Sequence, residues 1–256
     1  LGPLVGLRTG IRSLLPAGEG ASLRVATLNA WGGDSVEPLA RMLAAWNADV
    51  VVLQECGGRL REQVRAQSVP GSPISVHVDA SLCLVSRLPL IESTAMERDA
   101  FELAGGSALV HSYMLDWAGD TIAVTNVHLE TQREGLELIR SGRLTQAIPR
   151  LKQTSLLRSI EHRVARRWAE SHGHPAVVAG DFNTPPESRA YRTEWKGWAD
   201  AFAARGRGMG ATRMNGWIQA RIDYVLADPR WRIVSIEVGE DVGSDHLPVI
   251  VELRRR

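Results

Sequence analysis

Short apolar runs recur along the whole chain, and they constrain its fold more than any other feature. Several of them, such as Asp49–Leu53 and Ala176–Ala179, are continuous rather than alternating. Continuous runs of this length are typical of strands that are buried on both faces. We therefore predict about ten strands in a layered α/β architecture. The predicted strands are Leu23–Leu28, Asp49–Leu53, Ile74–Val78, Leu82–Val85, Ala108–Leu115, Thr121–Val127, Ala176–Ala179, Ile222–Leu226, Ile233–Val238 and Leu247–Leu253.

Two segments between these runs carry helical patterns. Asp34 and Glu37 are three residues apart and predict a capping pair, with Pro38 in the first turn of a helix that bridges the first two strands. A second helix is predicted from about Pro149 to Ser171, with an apolar stripe that should dock on a sheet. The stripe consists of Leu156, Leu157, Ile160, Val164 and Trp168.

The composition excludes several classes of protein. With 256 residues, 44% of them apolar and 23% charged, the chain matches one soluble globular domain rather than a disordered or fibrous protein. The net charge is +1, so no overall field favours nucleic acid, membranes or acidic partners. No apolar run approaches the roughly 20 residues of a membrane helix, so we expect no membrane span. We assign residues 1–22 to an N-terminal extension or linker and residues 23–256 to one domain, and we expect a monomer.

The two cysteines, Cys56 and Cys83, lie in different apolar runs. Two cysteines are too few for a disulfide scaffold, and their spacing does not match a C-x-x-C metal or redox pair. We therefore expect both to be buried thiols.

Polar residues stand where the predicted strands end or begin. Matching ends of neighbouring strands form one rim of a sheet, so residues that are distant in sequence meet there. Five runs are bounded in this way, and Asp223 begins a sixth. The bounding residues are Asn29, Glu55, Asn126, His128, Asp181, Asn183, Asp245 and His246.

The residue types at this rim suit one kind of chemistry. Carboxylates and amides offer the hard oxygen ligands that Mg²⁺ prefers, with Mn²⁺ as a substitute, and no Cys/His cluster suits a softer metal. A cation can neutralise phosphate oxygens, a carboxylate can orient or deprotonate water, and an imidazole can donate to a phosphoryl oxygen. The pattern predicts phosphoester hydrolysis. The carboxylates are Glu55, Asp181, Asp223 and Asp245, and the amides are Asn29 and Asn183.

Six short stretches follow one another in a fixed order between about residues 23 and 253. They are Ala26-Thr27-Leu28-Asn29, Leu53-Gln54-Glu55, Asn126-Val127-His128-Leu129, Gly180-Asp181-Phe182-Asn183, Arg221-Ile222-Asp223-Tyr224 and Gly243-Ser244-Asp245-His246-Leu247-Pro248. This series resembles the signature motifs of the endonuclease/exonuclease/phosphatase superfamily. The resemblance implies an α/β fold, a four-layered α/β sandwich with two central mixed β-sheets flanked by helices.

The resemblance also implies a divalent-metal site. Glu55 resembles the principal metal ligand of the family, Asn29 resembles the residue beside it that bonds metal-bound water or phosphate, and Asp245 belongs to the same metal side. The first motif continues as Asn29-Ala30-Trp31, whereas many abasic-site endonucleases carry Asn-x-Asp there. An abasic-site repair role is therefore disfavoured.

The catalytic roles follow from the same resemblance. Asp181 resembles the residue that aligns the nucleophilic water, and Asn183 resembles its phosphate-binding neighbour. His246 resembles the imidazole that contacts the scissile phosphate, oriented by Asp223. His128 matches the second histidine of the deoxyribonuclease and phosphatase branches. A non-catalytic binding module is disfavoured because the whole set is intact.

The substrate is the open question. Segment 132–167 holds nine Lys/Arg against three acidic residues, and much of this excess fits a solvated helix face. Arg133, Arg140 and Arg143 precede the helix, however, and we expect them to contact an anionic substrate. We favour a nuclease acting on DNA. The alternative is a phosphatase or phospholipase C-like hydrolase of an inositol phosphate, sphingomyelin or another small phosphoester.

Two tryptophans near these motifs have two interpretations. Trp31 lies beside the first motif, and Trp217 lies in a Gly-flanked loop. Packing is the preferred interpretation of both. Stacking on a base or contact with a lipid is the alternative.

Overall fold

The computed structural model describes residues 20–69, 71–98, 102, 106–131, 138, 141–215 and 218–256. Within these ranges, two six-stranded mixed sheets lie face to face with helices outside them, which confirms the predicted four-layered α/β sandwich. The strands are β1 (Ser22–Asn29), β2 (Val50–Gln54), β3 (Ser75–Asp79), β4 (Leu82–Ser86), β5 (Leu90–Ala95), β6 (Leu109–Trp117), β7 (Asp120–His128), β8 (Ala176–Asp181), β9 (Ala199–Asp200), β10 (Arg213–Asn215), β11 (Ile218–Ala220), β12 (Asp223–Ala227), β13 (Trp231–Val238) and β14 (Val249–Arg255). The helices are α1 (Leu39–Trp46), α2 (Gly58–Ala66), α3 (Leu144–Ser171), α4 (Arg189–Glu194) and α5 (Ala201–Arg205).

The two large sheets enclose the main core. Sheet A has the order β13-β14-β1-β2-β4-β3, and sheet B has the order β5-β6-β7-β8-β12-β9. Fully buried β-branched side chains such as Val52 from sheet A and Val177 from sheet B meet between them. The opposite faces are covered by helices, with α1 and α2 on sheet A and α3 and α4 on sheet B. Strands covered on both sides read as continuous apolar runs, as the sequence predicts.

Strand direction brings the predicted end residues to one edge of the sandwich. The pairs β1/β2 and β7/β8 are parallel, so their carboxyl ends lie side by side. In the antiparallel pair β12/β8, Asp223 stands opposite Asp181, which in turn stands opposite His128 on β7. β14 is antiparallel to β1, so the segment carrying His246 enters from the same edge. We call this edge the rim.

The two cysteines are not thiols, contrary to the expectation. Cys56 and Cys83 form a fully buried disulfide with a Cα–Cα distance of 6.0 Å. The pairing arises because β2 and β4 are antiparallel neighbours with Leu53 opposite Cys83, and the chain leaving β2 turns Cys56 toward that strand. The Cys56 N–H donates to the Ser81 carbonyl at 2.9 Å and fixes this turn.

The second predicted helix is confirmed, but it starts earlier than predicted and only part of the predicted stripe is buried. α3 begins at Leu144, and Pro149 lies inside it. Leu156 and Ile160 are exposed rather than docked. The helix packs on sheet B through Val164 and Trp168 of the predicted stripe and through the small residues Ala165 and Ala169, and Leu157 is also buried. The large apolar residues predict only part of this face because alanines also allow a close approach to a sheet.

The capping prediction for the first helix is also wrong. α1 begins at Leu39 without a side-chain cap. Asp34 instead accepts the Arg59 N–H at 2.9 Å and so caps the start of α2.

The edge strand β5 was not predicted because its half-exposed sequence Leu-Ile-Glu-Ser-Thr-Ala lacks an apolar run. No helix in the described part of the chain has the length and apolarity to cross a bilayer. Residues 1–19 lie outside the described residues, so the N-terminal extension stays a prediction.

Candidate active site

Three of the predicted site residues form a buried cluster at the rim. Asp181, Asp223 and His246 are almost fully buried, and one carboxylate or ring-nitrogen atom from each lies within 4.8 Å of the other two. The His246 Nδ1 contacts both Asp223 carboxylate oxygens, at 3.1 and 2.9 Å. The His246 Nε2 lies 3.9 Å from Asp181 Oδ2. We call these residues the buried half of the site.

Burial and the neighbouring charges shift the pKa values of Asp181 and His246. Burial raises the pKa of Asp181 to about 6, and the neighbouring Asp223 carboxylate adds to the effect. Burial opposes protonation of His246, but the carboxylates around it, Asp223 foremost, raise the pKa of His246 to about 9. At neutral pH the cluster therefore pairs an ionised Asp181 with an imidazolium whose Nδ1–H is donated to Asp223.

Two of the remaining rim residues, Glu55 and His128, are more accessible, and the buried Asn29 connects them to Asp181. Asn29 donates its amide Nδ2–H groups to Glu55 Oε1 and Asp181 Oδ2, both at 3.0 Å. The His128 Nε2 lies 3.7 Å from Glu55 Oε1 and 3.8 Å from Asp181 Oδ2. The Glu55 side chain is 35% exposed and the His128 side chain 21%. We call Asn29, Glu55 and His128 the open half of the site.

Asp181 joins the two halves. Its Oδ1 accepts the Asn183 N–H at 2.8 Å, which makes a tight turn just after β8. The Asn183 Nδ2 donates to the Leu129 carbonyl at 2.9 Å and ties this turn to the strand end that carries His128. Gly180 permits the close approach of β7 and β8, because it has φ +148° and a Cβ there would lie 2.0 Å from the Val127 carbonyl oxygen.

Side chains of helix α3 form hydrogen bonds to Thr184 in the same turn. The sequence did not predict these contacts. Thr184 Oγ1 accepts hydrogen bonds from Arg158 and from His162 Nε2, the latter at 2.9 Å. The Trp195 Nε1–H donates to His162 Nδ1 at 2.9 Å, which fixes the neutral tautomer with the proton on Nε2. Burial lowers the pKa of His162 to about 3, in keeping with that tautomer. The helical spacing of Arg158 and His162 gave no signal beyond that of a helix face.

Asp245 lies beside the buried half. Arg213 donates to Asp245 Oδ2 at 3.0 Å, while Asp245 Oδ1 lies 3.7 Å from His246 Nε2. Ser244 Oγ donates to the Asn29 carbonyl at 2.7 Å and accepts the His246 N–H at 3.1 Å. Ser244 thus links the first and last motifs. Its position between Gly243 and Asp245 in the quoted motif was the available signal, whereas Arg213 had none.

Asn126 is structural, although it lies near a strand end. It is fully buried between the sheets, accepts from Gln54 Nε2 at 2.6 Å and donates to the Leu53 carbonyl at 3.1 Å. Its hydrogen bonds therefore connect sheet B to sheet A. They hold β7 and β2 in the register that brings His128 toward Glu55.

The predicted substrate-contacting arginines are described only in part. Arg143 is exposed and immediately precedes α3. Arg133 and Arg140 lie outside the described residues, as does Trp217. Trp31 is 53% exposed, so the packing interpretation of this residue is wrong. The loop after β1 leaves its side chain exposed to solvent.

The donor set fits a hard divalent cation. The rim carries the carboxylates of Glu55, Asp181, Asp223 and Asp245, against the imidazolium of His246 and the guanidinium of Arg213. A phosphate approaching this surplus of carboxylates would be repelled unless a cation neutralised them. Glu55 is the most exposed of these carboxylates, and oxygen donors of this type suit Mg²⁺ or Mn²⁺.

Solved structures share this fold at low identity. TDP2 from D. rerio, complexed with single-strand DNA product, matches with a TM-score of 0.68 and 16% identity, covering 92% of this chain and 100% of that chain. A mannosyl-6-phosphatase from Bacteroides thetaiotaomicron matches with a TM-score of 0.62 and 16% identity, covering 91% and 99%. An endonuclease/exonuclease/phosphatase from Beutenbergia cavernae matches with a TM-score of 0.62 and 20% identity, covering 91% and 72%.

Sequence comparisons complete the assignment. None of the curated proteins compared with the sequence matches it. The family model described as Endonuclease/Exonuclease/phosphatase family matches residues 26–246, which span the interval from β1 to His246. Members of this family are hydrolases that act on phosphoesters, and they generally use divalent metals. The matched interval contains every rim residue described above, and on this basis the chain belongs to the endonuclease/exonuclease/phosphatase family.

Proposed function

We propose that this chain is a divalent-metal-dependent phosphodiesterase that hydrolyses DNA by in-line attack of an activated water. The observation that carries the proposal is the convergence of two imidazole Nε2 atoms, from His128 and His246, within 3.8 and 3.9 Å of one buried carboxylate oxygen of Asp181. A base flanked by two imidazoles, which can donate hydrogen bonds to phosphoryl oxygens, suits the hydrolysis of a charged ester.

The buried half supplies the proton chemistry. Asp181 accepts a proton from the attacking water, because its pKa of about 6 leaves it ionised yet basic at neutral pH. His246 is held as an imidazolium by Asp223, and its Nε2–H donates to a phosphoryl oxygen as negative charge develops. Asn183 contributes to phosphate binding beside the turn that orients Asp181.

The open half binds the cation and the leaving group. Glu55 is the principal ligand, the adjacent Asn29 belongs to the same metal site, and Asp245 joins them from beside the buried half. When bound, Mg²⁺ or Mn²⁺ would neutralise phosphoryl oxygens and stabilise a leaving alkoxide. His128 lies between Glu55 and Asp181, so its imidazole contacts the phosphate or assists the leaving group.

DNA is favoured over a small phosphoester for two reasons. The histidine pair resembles that of deoxyribonucleases, and a structurally similar TDP2 is complexed with single-strand DNA product. Arg143 is exposed where the chain enters α3, so it is available to a phosphate backbone. The second candidate is hydrolysis of a small phosphoester, which the structural similarity to a mannosyl-6-phosphatase supports.

A substrate screen tests the proposed function. Plasmid DNA, single-stranded DNA, RNA, inositol phosphates, mannose phosphate and sphingomyelin would each be incubated with the protein in Mg²⁺ and in excess EDTA. We expect Mg²⁺-dependent cleavage of DNA that is lost in EDTA and in Asp181→Asn. Turnover in EDTA would contradict metal dependence, and turnover of a small phosphoester without cleavage of DNA would favour the second candidate.

Salt dependence separates a polynucleotide from a small substrate. If Arg133, Arg140 and Arg143 each contact a backbone phosphate, their replacement by alanine should lower the slope of log KM against log salt for duplex DNA by up to about 2.7. Three exposed arginines elsewhere provide a charge-matched control: Arg65, Arg167 and Arg192. Equal slopes for both triple variants and wild type would contradict the predicted contact.

A further inference from the structure

Both the exposure and the backbone conformation of Trp31 are unfavourable for a tryptophan. Its side chain is 53% exposed, whereas the other tryptophans that the structure describes are buried or half-buried. Its backbone is left-handed, with φ +44°, a conformation that bulky residues rarely adopt. The indole has no ring or hydrogen-bond partner among the described residues. Exposure and strain of this kind concentrate at functional sites.

The loop that carries Trp31 is fixed to the open half of the site. The Trp31 N–H donates to Asn29 Oδ1 at 3.0 Å, and the Gly32 N–H donates to the Glu55 carbonyl at 3.1 Å. Gly33 packs so tightly against the α2 entry that a Cβ there would lie 2.4 Å from the Gly57 carbonyl oxygen. The indole is therefore presented to solvent by a rigid loop, beside the two residues proposed to hold the cation.

A flat apolar ring beside a phosphate-binding site suits one kind of neighbour. In a nucleic acid, the planar apolar group next to each phosphate is the base, and stacking on an aromatic ring is tolerant of base identity. We propose that Trp31 is a stacking platform for the nucleobase adjacent to the scissile phosphate. This proposal rests on the proposed function, and it identifies a base-bearing substrate where the phosphate chemistry alone does not.

The test compares two ligands of equal charge. One is a single-stranded thymidine hexanucleotide, and the other is a base-free deoxyribose phosphate hexamer. Affinities would be measured by calorimetry in Mg²⁺. Every protein in the test also carries Asp181→Asn, which prevents cleavage, and the protein with this change alone is the reference. Trp31→Gly removes the ring and accepts the left-handed backbone without strain, and Trp31→Phe keeps a smaller ring. Val69→Ala alters another exposed apolar residue as a matched control.

The expected result is selective. Trp31→Gly should bind the thymidine hexanucleotide about 5- to 150-fold more weakly, the loss of one stacked base. Trp31→Phe should recover part of the affinity, and Val69→Ala should bind as tightly as the Asp181→Asn reference. The affinity for the base-free hexamer should change less than twofold in every variant. Equal losses for both ligands would show that Trp31 acts by holding the loop, and no loss for either would also overturn the proposal.

Failure of the proposed function gives a different result. If wild type cleaves no DNA but hydrolyses sphingomyelin or a sugar phosphate, the proposed function fails. If wild type cleaves DNA while the Asp181→Asn reference binds both hexamers equally, the proposed function stands and the stacking role of Trp31 is overturned.

Discussion

The buried and open halves of the site are held in place by different means. In the buried half, side chains hold one another, through the pair of contacts from His246 Nδ1 to Asp223. In the open half, backbone contacts hold Glu55: the Gly32 N–H donates to the Glu55 carbonyl at 3.1 Å, and Glu55 has a left-handed φ of +48°. The pKa values are therefore shifted in the half from which water is excluded, whereas solvent reaches Glu55 and His128 in the half proposed to bind the cation.

The largest effect is expected when the carboxylate that joins the halves is neutralised. Asp181→Asn removes the proposed base and should lower the rate by about 10²–10⁴-fold. Because the folded-state pKa of Asp181 is raised to about 6, wild type loses stability as this group ionises between pH 4 and 7. As the pH rises over that interval, the unfolding free energy of Asp181→Asn should therefore increase relative to that of wild type. Urea melts at several pH values would measure it, and a constant difference would contradict the assigned pKa direction.

A smaller effect, on metal affinity, is expected in the open half. Glu55→Gln should raise the Mg²⁺ concentration required for half-maximal activity at least about tenfold, since a neutral amide is a poorer ligand for a hard cation. The unfolding free energy should change little because the side chain lies at the rim. Glu62→Gln, on the exposed side of α2, is the matched control. An unchanged Mg²⁺ requirement would remove Glu55 from the metal site.

The smallest effect on activity is expected from the disulfide. Replacing Cys56 and Cys83 together by alanine opens a loop with a sequence separation of 27. On the chain-entropy model this lowers the unfolding free energy by about 3.5 kcal/mol. Activity at 25 °C should fall less than about threefold, because the Cys56 N–H to Ser81 hydrogen bond still fixes the turn after β2. Denaturant unfolding and the Mg²⁺ titration would measure the two quantities, and a collapse of Mg²⁺ affinity would show that the disulfide positions Glu55.

The rim was predictable from the sequence because it depends on strand ends. Apolar runs such as Ala176–Ala179 identify buried strands, and a polar residue such as Asp181 directly after a run must lie near its end. The order of the six motifs then predicted the sandwich. Four short or exposed strands, β5 and β9–β11, were not predicted because they lack such runs.

Features set by contacts between distant elements were not predictable in the same way. The disulfide depends on β2 and β4 being antiparallel neighbours, which no local pattern encodes. Asn126 stands at a strand end as Asp181 does, yet its side chain points between the sheets, and only the register decides this. The buried face of α3 was predicted only in part: Val164 and Trp168 pack on sheet B, but Leu156 and Ile160 are exposed, and Ala165 and Ala169 pack there as well.

The most direct test of the account is the pH dependence of kcat/KM for wild type and Asp223→Asn at saturating Mg²⁺. For wild type we predict a bell-shaped profile that rises as Asp181 ionises near pH 6 and falls as His246 loses its proton near pH 9. Loss of the Asp223 charge should move the alkaline limb to lower pH, because that charge is the main cause that raises the pKa of His246. The acid limb should move less, since burial is the main cause at Asp181. An alkaline limb that stays in place in Asp223→Asn would contradict the central claim that this pair holds the imidazolium for catalysis.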